Sequence, residues 1–432
     1  ELYAQWLENW RHAAGDVDTD VPDWLSAGAA SGIDELPASK GIFPLNEKMP
    51  KEFRPLASYP EGFYNYKSVE EDPAAKEEVD KLTSTHYFDK YDDVHAAERE
   101  LRGKIHLSKM AMITKEAYEA IKRRLILDCL ASGINSITTQ VERIILPRVI
   151  DIVNDVLDLM ANMTADQIME FTVLDFTDAF FKVPLLFDDR KYYCTSFQGV
   201  VYVWKRIAQG SKNGPQIFGR LSSMVARLTQ GMMDPRRSRL HIYTDDPINV
   251  MIGTLSEIKR ERARMILVWK ALGFDLAFHK AQAGPKVDWI GHTIAVDVKK
   301  AEVTVQIKED FLKELLVTTT ELLKGNVIKL KDITSYTGRA NHVASLMWAW
   351  RPFMGELWGA INADGGKPTN APRSCIWTKQ VEPALRWIQA FLKRARSSVI
   401  RTWRLSHYLS STGDLAICFD ASPWGIGAVI WL

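Results

Sequence analysis

The stretch RLHIYTDDPINVMIG, residues 239–253, places two adjacent carboxylates between two apolar segments. This arrangement predicts two short strands joined by a tight turn that carries Asp245 and Asp246. Two carboxylates ~4 Å apart repel each other by about 4 kcal/mol at an effective dielectric of ~20. A divalent cation would relieve that repulsion, whereas a solvated Asp-Asp turn is the alternative that this stretch alone leaves open.

A third carboxylate is expected at the end of a neighbouring strand. Within FTVLDFTDAFFKVPL, residues 171–185, the alternating residues Phe171, Val173 and Asp175 fall on one face of a strand. Three aspartates could then converge on one site. Hard oxygen ligands without a nearby Cys or His cluster favour Mg²⁺ or Mn²⁺ over zinc, and two such ions are usual for in-line displacement at phosphorus.

Five strings carry a family resemblance, and they occur in the order LDFTDAFFKVPL, AQGSKNGPQIFGRL, YTDD, LGFDLAFHKAQ and WIGHTI. In this order and spacing they resemble the successive polymerase motifs of a reverse transcriptase of the retrotransposon or retroviral type (LTR- or DIRS-like). The resemblance extends from about Lys109 to the end of the chain. It implies an α+β fold with palm, fingers and thumb, in which an antiparallel palm sheet is accompanied by helices.

The resemblance also implies a division of the chain. Residues 1–98 are an acidic N-terminal extension without a recognised counterpart, and a linker, a packing extension and a docking segment are all open as its role. The segments that follow are the fingers at 99–170, the palm at 171–300 with a fingers hairpin at about 186–205, the thumb at 301–365, a connection at 366–412 and a truncated ribonuclease H-like start at 413–432.

By resemblance, the expected reaction is RNA-directed DNA synthesis, in which a primer 3′-hydroxyl attacks a deoxynucleoside triphosphate. Asp175, Asp245 and Asp246 would hold two Mg²⁺ or Mn²⁺ ions, together with the backbone carbonyl of Phe176. Lys280 would protonate the leaving pyrophosphate, which is sensible chemistry for a cation near an anionic leaving group. The implied partners are an RNA or DNA template with its primer, and dNTPs.

A nucleotide pocket is implied beside the aspartates. Lys115 and Arg124 would grip the triphosphate, whereas Lys122 and Arg123 are template-backbone contacts or plain surface. A bulky ring under the sugar leaves no space for a 2′-hydroxyl, so Phe180 would select deoxynucleotides; without the surrounding motif, Phe180 and Phe181 indicate core aromatics. The residues implied to bind the nucleotide are Lys115, Arg124, Asp178, Ala179, Phe180 and Gln209.

Contacts to template and primer are implied on both sides of the aspartate hairpin. Gly210 would let the backbone approach the template, and the WIGHTI string falls where the family grips the primer 3′ end. Between Arg386 and Arg404 the chain has six basic residues and no acidic one, which predicts either a track for the template backbone or a solvated helix face. The implied template and primer residues are Gly210, Asn213, Pro215, Tyr243, Trp289, Gly291 and His292.

Charge and cysteine content narrow the expected partners. Residues 1–98 carry 9 Lys and Arg against 21 Asp and Glu, so with a net charge of +1 for the chain the remainder carries +13. The positive net charge of this remainder suits binding of a phosphate backbone. Four scattered cysteines predict neither a disulfide framework nor a zinc finger, and they fit a reducing compartment. No apolar run approaches the ~18 residues of a membrane span, so no membrane partner is expected.

Three features limit these expectations. The chain begins at Glu1 and stops inside an apolar strand, which predicts a piece of a longer protein. Asp420 resembles the first metal ligand of a ribonuclease H domain, but the further carboxylates of that domain do not follow, so no RNA cleavage is expected. Pro247 cannot donate a backbone hydrogen bond, and in a central hairpin this removes a ladder bond unless the amide at that position would have faced outward.

Two alternatives to an active reverse transcriptase stay open. Pro247 and the truncated ends are compatible with a catalytically decayed or domesticated nucleic-acid-binding module of the same fold. An RNA-dependent RNA polymerase would share the palm carboxylates, although Phe180 argues against it.

Overall fold

The computed structural model describes residues 2–431 apart from 35, 47–54, 58–61, 118–119, 364–370, 395–398, 411–415 and 423–424. Within the described residues, every pair of neighbouring strands is antiparallel, and helices pack on both faces of the central sheet. The predicted α+β class with an antiparallel palm sheet is therefore confirmed.

The N-terminal part supplies helices and one strand to the fingers region. Its elements are α1 Ala4–Ala14, α2 Asp20–Ala27, α3 Lys67–Glu70, α4 Ala74–Ser84, β1 Phe88–Tyr91 and α5 Val94–Glu100. A long hairpin and two helices follow, namely β2 Met110–Ala117, β3 Ala120–Leu127, α6 Ile134–Ile137 and α7 Val149–Ala161. Strand β1 pairs with β6, Val200–Trp204, so the structure continues the fingers sheet into the segment before residue 98.

The palm sheet carries the aspartates. Its strand order is β7-β8-β4-β9, formed by Ser238–Tyr243, Asp246–Gly253, Ile168–Val173 and Gln282–Gly284. Strand β5, Cys194–Phe197, lies outside it in the fingers sheet β1-β6-β5. Helices α8 Gly214–Gly231 and α9 Leu255–Ala271 cover one face of the palm sheet, and α7 packs on the other against Phe171 and Val173.

A second sheet and a helical bundle complete the C-terminal half. The sheet order is β10-β11-β12-β15, formed by Lys286–Trp289, His292–Asp297, Glu302–Ile307 and Ile400–Arg404. The bundle consists of α10 Glu309–Leu322, α11 Leu330–Leu346, α12 Arg351–Ile361 and α13 Glu382–Arg394, with a short ladder between β13 Val327–Lys329 and β14 Cys375–Trp377. A short helix, α14 Leu405–Leu409, follows β15.

Two apolar cores hold these parts together. One joins the N-terminal helices, the fingers and the α8–α9 side of the palm, and its fully buried side chains include Trp204, Phe218 and Trp269. The other joins α7, the second sheet and the helical bundle, where Trp350 and Tyr336 are fully buried. Complete burial of a large apolar side chain contributes roughly 1.5–3 kcal/mol. Because each core contains many such side chains, it is large enough to fix the geometry of its region.

The acidic N-terminal segment is bound to α8 by buried ion pairs. Arg220, with no exposed side-chain surface, donates two hydrogen bonds to Asp18, at 2.9 and 2.5 Å, and a third to Asp20 at 2.7 Å. Its guanidinium lies 4.4 Å from the ring centroid of Trp24. About two turns further along α8, Arg227 pairs with Asp16 at 2.6 Å. The segment is thus an integral part of the fold, as in the packing alternative.

The C-terminal end forms a hairpin of β16 Ala416–Ser422 and β17 Gly425–Trp431. The prediction for Asp420 as a ribonuclease H-like metal ligand falls outside the residues whose side chains the structure describes. Among the described helices, none combines the length and the apolar character that a membrane crossing requires.

Candidate active site

The tight turn between β7 and β8 fixes the position of Asp245. The two strands are paired up to the residues that flank Thr244 and Asp245. Thr244 has φ 56°, a left-handed conformation that a β-branched residue rarely adopts. The N–H of Phe176 donates to the carbonyl oxygen of Asp245 at 2.9 Å. A strained turn is therefore held against the segment that carries Asp175, and such strain is typical of functional sites.

Pro247 does not break the aspartate hairpin. Its carbonyl accepts a hydrogen bond from the N–H of Leu174 at 3.1 Å, so its polar side faces β4. Because residues in such an antiparallel position exchange both hydrogen bonds, the bond that proline cannot donate is lost at the end of β4. The β7–β8 pairing that positions the aspartates is unaffected, and the structural argument for a decayed site loses its main support.

Two of the three aspartates, Asp245 and Asp246, have raised pKa values. Burial, followed by the negative charges of Asp245 and Asp175, raises the pKa of Asp246 to about 6. Burial and the charge of Asp175 also raise the pKa of Asp245 above its ordinary range. Accumulation of negative charge in a partly desolvated place favours binding of a cation.

A lysine neutralises this charge in the structure. Lys280, at the end of the 3₁₀ turn Phe278–Lys280, forms an ion pair with the carboxylate of Asp175. Burial opposes protonation of Lys280, but the hydrogen bond to Asp175 raises its pKa overall. Among the described residues no three His, Cys, Asp or Glu side chains are already arranged to hold a metal ion. An ammonium group thus stands where the sequence predicts metal ions.

The aspartates open into a cleft of about 690 Å³, within the range of small-molecule sites. Most of the predicted catalytic and nucleotide-binding residues line it. Those residues are Asp175, Phe176, Asp245, Lys280, Arg124, Asp178, Ala179, Phe180 and Gln209, and Gly210 and Pro215 of the template set join them.

The triphosphate lysine predicted from the sequence is not on the cleft. Lys115 is exposed on β2 and is paired across the hairpin with Lys122. Lys122 and Arg123 do line the cleft, and hydrogen bonding to Lys280, followed by burial, lowers the pKa of Lys122. Sequence reasoning gave Lys122 the role of a template-backbone contact or plain surface, and the structure places it on the cleft in place of Lys115. The signal was available in principle, because residues opposite each other in a hairpin share a face.

Phe180 and Phe181 have different environments. Phe181 is buried and stacks on Tyr87 with ring centroids 4.7 Å apart, as the core interpretation predicts. Phe180 is partly exposed at the cleft, with its ring 5.7 Å from that of Phe218 on α8. Both residues line the cleft, and Phe180 is the more exposed of the two, so its predicted role in sugar selection stays a prediction.

Two residues of the template set have structural reasons for their identity. Gly210 has φ 110°, and a Cβ there would lie 2.0 Å from the carbonyl oxygen of Leu127. The glycine is therefore required by the approach of β3, and its role at the template stays a prediction. Asn213 is buried and its amide donates to the carbonyls of Ser31 and Thr139, at 2.9 and 2.8 Å. Its side chain supports the loop and does not reach the cleft.

Trp289 and His292 of the WIGHTI string are buried in the protein. The indole N–H of Trp289 donates to the carbonyl oxygen of Asp246 at 2.9 Å, and its ring makes an edge contact with Tyr243. Trp289 is 2% exposed, so it packs against the aspartate hairpin and presents almost no surface to a primer. Gly291, with φ 78°, is at the turn between β10 and β11 and is the exposed residue of this string.

His292 and His342 connect that turn to the helical bundle. His292 is 1% exposed, its Nδ1 faces the carbonyl oxygen of Ile290 at 3.1 Å, and its buried Nε2 has no partner among the described residues. The ring of His342 on α11 lies 4.1 Å away between centroids and fills the space beside Gly291. Burial, with a contribution from His342, lowers the pKa of His292 to about 4.

We expect acid to destabilise the protein through His292. A histidine with an ordinary pKa of 6.5 in the unfolded chain and about 4 in the folded protein binds more protons when unfolded, so stability is full above pH 6.5 and falls as the pH drops towards 4. Over that window the loss should approach about 3 kcal/mol. Urea unfolding at a series of pH values from neutral to 5 measures the onset of this loss.

The matched test is His292→Phe, which keeps a ring and removes the titration. Its free energy of unfolding should depend less on pH below 6.5 than that of the original chain. His279→Gln, a change at an exposed histidine, is the control and should keep the original slope. Equal slopes for all three proteins would show that His292 is not the titrating group.

Comparison with known families identifies the central part of the chain. Residues 107–294 match the family model described as "Reverse transcriptase (RNA-dependent DNA polymerase)". This range contains the aspartates, most of the residues that line the cleft and the β10–β11 turn.

Viral polyproteins are among the similar sequences. The Pol polyprotein of equine infectious anemia virus (strain Wyoming) is 26% identical over 171 residues, which cover 36% of this chain and 14% of that protein. The Pol polyprotein of caprine arthritis encephalitis virus (strain Cork) is 27% identical over 188 residues, which cover 37% of this chain and 16% of that protein. The chain therefore spans about a seventh of the length of these relatives.

Solved structures show the same fold. The foamy viral protease-reverse transcriptase dRH in complex with double-stranded DNA has a TM-score of 0.51 at 15% identity, over 98% of this chain and 64% of that chain. The foamy viral protease-reverse transcriptase in complex with double-stranded DNA has a TM-score of 0.50 at 15% identity, over 100% and 78% of the two chains. The palm, fingers and thumb are confirmed, and the ribonuclease H-like start stays a prediction. The family model, the viral relatives and the fold therefore agree in one similarity, that of this chain to reverse transcriptases of the retroviral type, centred on residues 107–294.

Proposed function

We propose that the chain is an RNA-directed DNA polymerase that adds deoxynucleotides to a primer 3′-hydroxyl. The observation that carries this proposal is the convergence of Asp175 and Asp245 on a cleft that also holds Arg124, Lys280 and Phe180. Anionic ligands for metal ions, cationic contacts for a triphosphate and a ring beside the sugar are the three elements that templated DNA synthesis requires.

We propose further that the site takes two Mg²⁺ or Mn²⁺ ions, held by Asp175, Asp245 and Asp246 with the carbonyl of Phe176. The donor set fits, because all of these ligands are hard oxygens, and burial together with their mutual repulsion already raises the pKa values of Asp245 and Asp246. When bound, such ions lower the pKa of the attacking hydroxyl and offset charge on the phosphates.

The cationic side chains would have two roles at the triphosphate, namely binding of the phosphates and donation of a proton. Arg124 and Lys122 line the fingers side of the cleft and would donate charge-assisted hydrogen bonds to the phosphate oxygens. Lys280 keeps its proton at neutral pH, because its pairing with Asp175 raises its pKa. Once released from Asp175, this ammonium group would give a proton to the departing pyrophosphate.

Template and primer are the proposed partners. The solved foamy viral protease-reverse transcriptases similar to this chain are structures in complex with double-stranded DNA. Gly210 and Pro215 on the cleft and Gly291 at the β10–β11 turn are the exposed members of the predicted template and primer set.

The direct test is extension of a labelled DNA primer on an RNA template with dNTPs and Mg²⁺ or Mn²⁺. We expect stepwise products that depend on the metal and on the template. Tight binding of the duplex without any product under both metals would replace the proposal with that of a nucleic-acid-binding module.

Replacement of Phe180 by Val should relax sugar selection. The smaller side chain leaves room for a 2′-hydroxyl, so incorporation of ribonucleotides relative to deoxynucleotides should rise by at least about tenfold, equivalent to about 1.4 kcal/mol. The ratio of kcat/KM for rNTP and dNTP on one template measures the change.

Phe278→Val is the control for this change. Phe278 is 54% exposed and precedes Lys280 by two residues without lining the cleft, so this variant should keep the original selectivity. Unchanged selectivity in Phe180→Val would remove the argument against an RNA-dependent RNA polymerase.

A further inference from the structure

A second cationic pocket lies between α7, the start of α12 and strand β15. It has a volume of about 220 Å³, and we call it the Arg-Trp pocket after its characteristic lining residues Arg148, Trp348, Arg351, Arg401 and Trp403. None of its lining residues lines the polymerase cleft. Strand β15 is one edge of the sheet β10-β11-β12-β15. The opposite edge is β10, which pairs with β11 near the palm.

The geometry of Arg401 is preorganised. Its guanidinium carbon lies 4.4 Å from the ring centroid of Trp348 and 4.8 Å from that of Trp403, so two indoles hold the group. One of its nitrogens donates to the carbonyl oxygen of Leu346 at 3.1 Å. Arginine stacked on aromatic rings keeps its edge N–H groups free, and ordering it in advance lowers the entropy that a ligand must overcome.

The positive charge of the pocket is not balanced by the protein. Within the part of the chain that the structure describes, neither Arg351 nor Arg401 has an ion-pair partner. Arg351 lies 5.5 Å from the Trp348 centroid, on the same ring that Arg401 contacts. Arg148 pairs with Asp151 at 3.0 Å and thereby brings a third guanidinium to the first turn of α7. Two uncompensated guanidinium groups around one exposed indole are suited to an anion with an aromatic part.

We propose that the Arg-Trp pocket binds a phosphate group of a nucleotide, outside the polymerase cleft. Guanidinium groups match phosphate oxygens in two-point hydrogen bonds, and the 54% exposed ring of Trp348 offers an apolar contact to the attached base or sugar. The volume suits one nucleotide unit and not a duplex. The phosphate belongs either to a single strand that leaves the cleft or to a free nucleotide, because both present the same chemistry.

Binding to the full-length chain tests this proposal independently of synthesis. The cleft is first saturated with unlabelled primer–template duplex without dNTPs, and a labelled oligothymidylate is then titrated and followed by anisotropy. We expect saturable binding of the labelled strand that Arg351→Gln and Arg401→Gln each weaken by at least about fivefold, with a smaller salt dependence.

Arg404→Gln is the matched control, since Arg404 is on the same strand and pairs with Glu302 outside the pocket. It should leave the affinity for the strand unchanged, and melting temperatures verify that all variants are folded. Competition by thymidine monophosphate at concentrations similar to those of the strand would identify a free nucleotide as the source, whereas competition only by strands would identify nucleic acid.

Two results would overturn the proposal. Equal affinity of the original chain, Arg351→Gln and Arg401→Gln for both the strand and thymidine monophosphate would show that the arginines only stabilise packing. An equal loss in Arg404→Gln would show that the effect comes from general charge. Because no dNTP is present, failure here leaves the primer-extension result untouched.

Discussion

Replacing Asp245 with Asn is expected to lower the rate of primer extension by about three decades, which corresponds to a loss of about 4 kcal/mol of transition-state stabilisation. The reason is that Asp245 is fixed at a strained turn and lines the cleft, where its negative charge adds to that of Asp175. Asparagine has the same shape but is a poor ligand for hard cations. Single-turnover extension of a labelled primer with dNTP and Mg²⁺ measures the rate directly.

The same change should leave the protein folded. Burial and the charge of Asp175 raise the pKa of Asp245, so loss of the charge relieves repulsion and the melting temperature should stay equal or rise. Asp166→Asn, at an exposed turn before β4, is the control and should keep full activity. A folded Asp245→Asn protein with near-normal extension would contradict both the metal-binding and the catalytic assignment.

The aspartate site was accessible from sequence because it depends on local patterns. Alternation of apolar residues places Asp175 at a strand end, and the apolar flanks of Asp245 and Asp246 specify a hairpin. The strand pairing then brings the carboxylates together without further information. The effect of Pro247 could not be derived in this way, because it depends on which neighbour faces the proline nitrogen.

Other parts of the site depend on contacts that sequence patterns do not encode. Trp289 and His292 occur in a motif associated with the primer, but their burial is decided by packing on Asp246 and His342. Gly210 is likewise explained by the distant carbonyl of Leu127. In each case the residue type was informative, whereas the partner became apparent only in three dimensions.

The N-terminal segment shows the largest gap between sequence and structure. Its acidic residues indicate a solvated surface, because the partners that neutralise Asp16 and Asp18 are about 200 positions away on α8. Arg220 and Arg227 are seven residues apart and therefore lie near the same face of that helix. They are the only charged residues of that helix, and this is the signal in the sequence that acidic partners exist.

Removal of one carboxylate from this buried network should strongly destabilise the fold. In Asp18→Asn, Arg220 would keep its charge in a position without solvent access, supported only by Asp20 and the carbonyl of Pro37. Breaking a buried ion pair on one side typically costs about 3–5 kcal/mol, a large part of the stability of an ordinary domain. Urea unfolding followed by tryptophan fluorescence, with Trp24 above the guanidinium as a local reporter, measures the loss.

Two further variants separate the ion pair from the general acidity of the segment. Asp23→Asn, at an exposed position of α2, removes the same charge without touching Arg220 and should change stability by less than about 0.5 kcal/mol. The double variant Asp18→Asn, Arg220→Met removes the stranded charge and should recover part of the loss, because an apolar side chain is tolerated in the buried position. Equal stability of Asp18→Asn and Asp23→Asn would mean that the acidic segment contributes only net charge and that its contact with α8 does not support the fold.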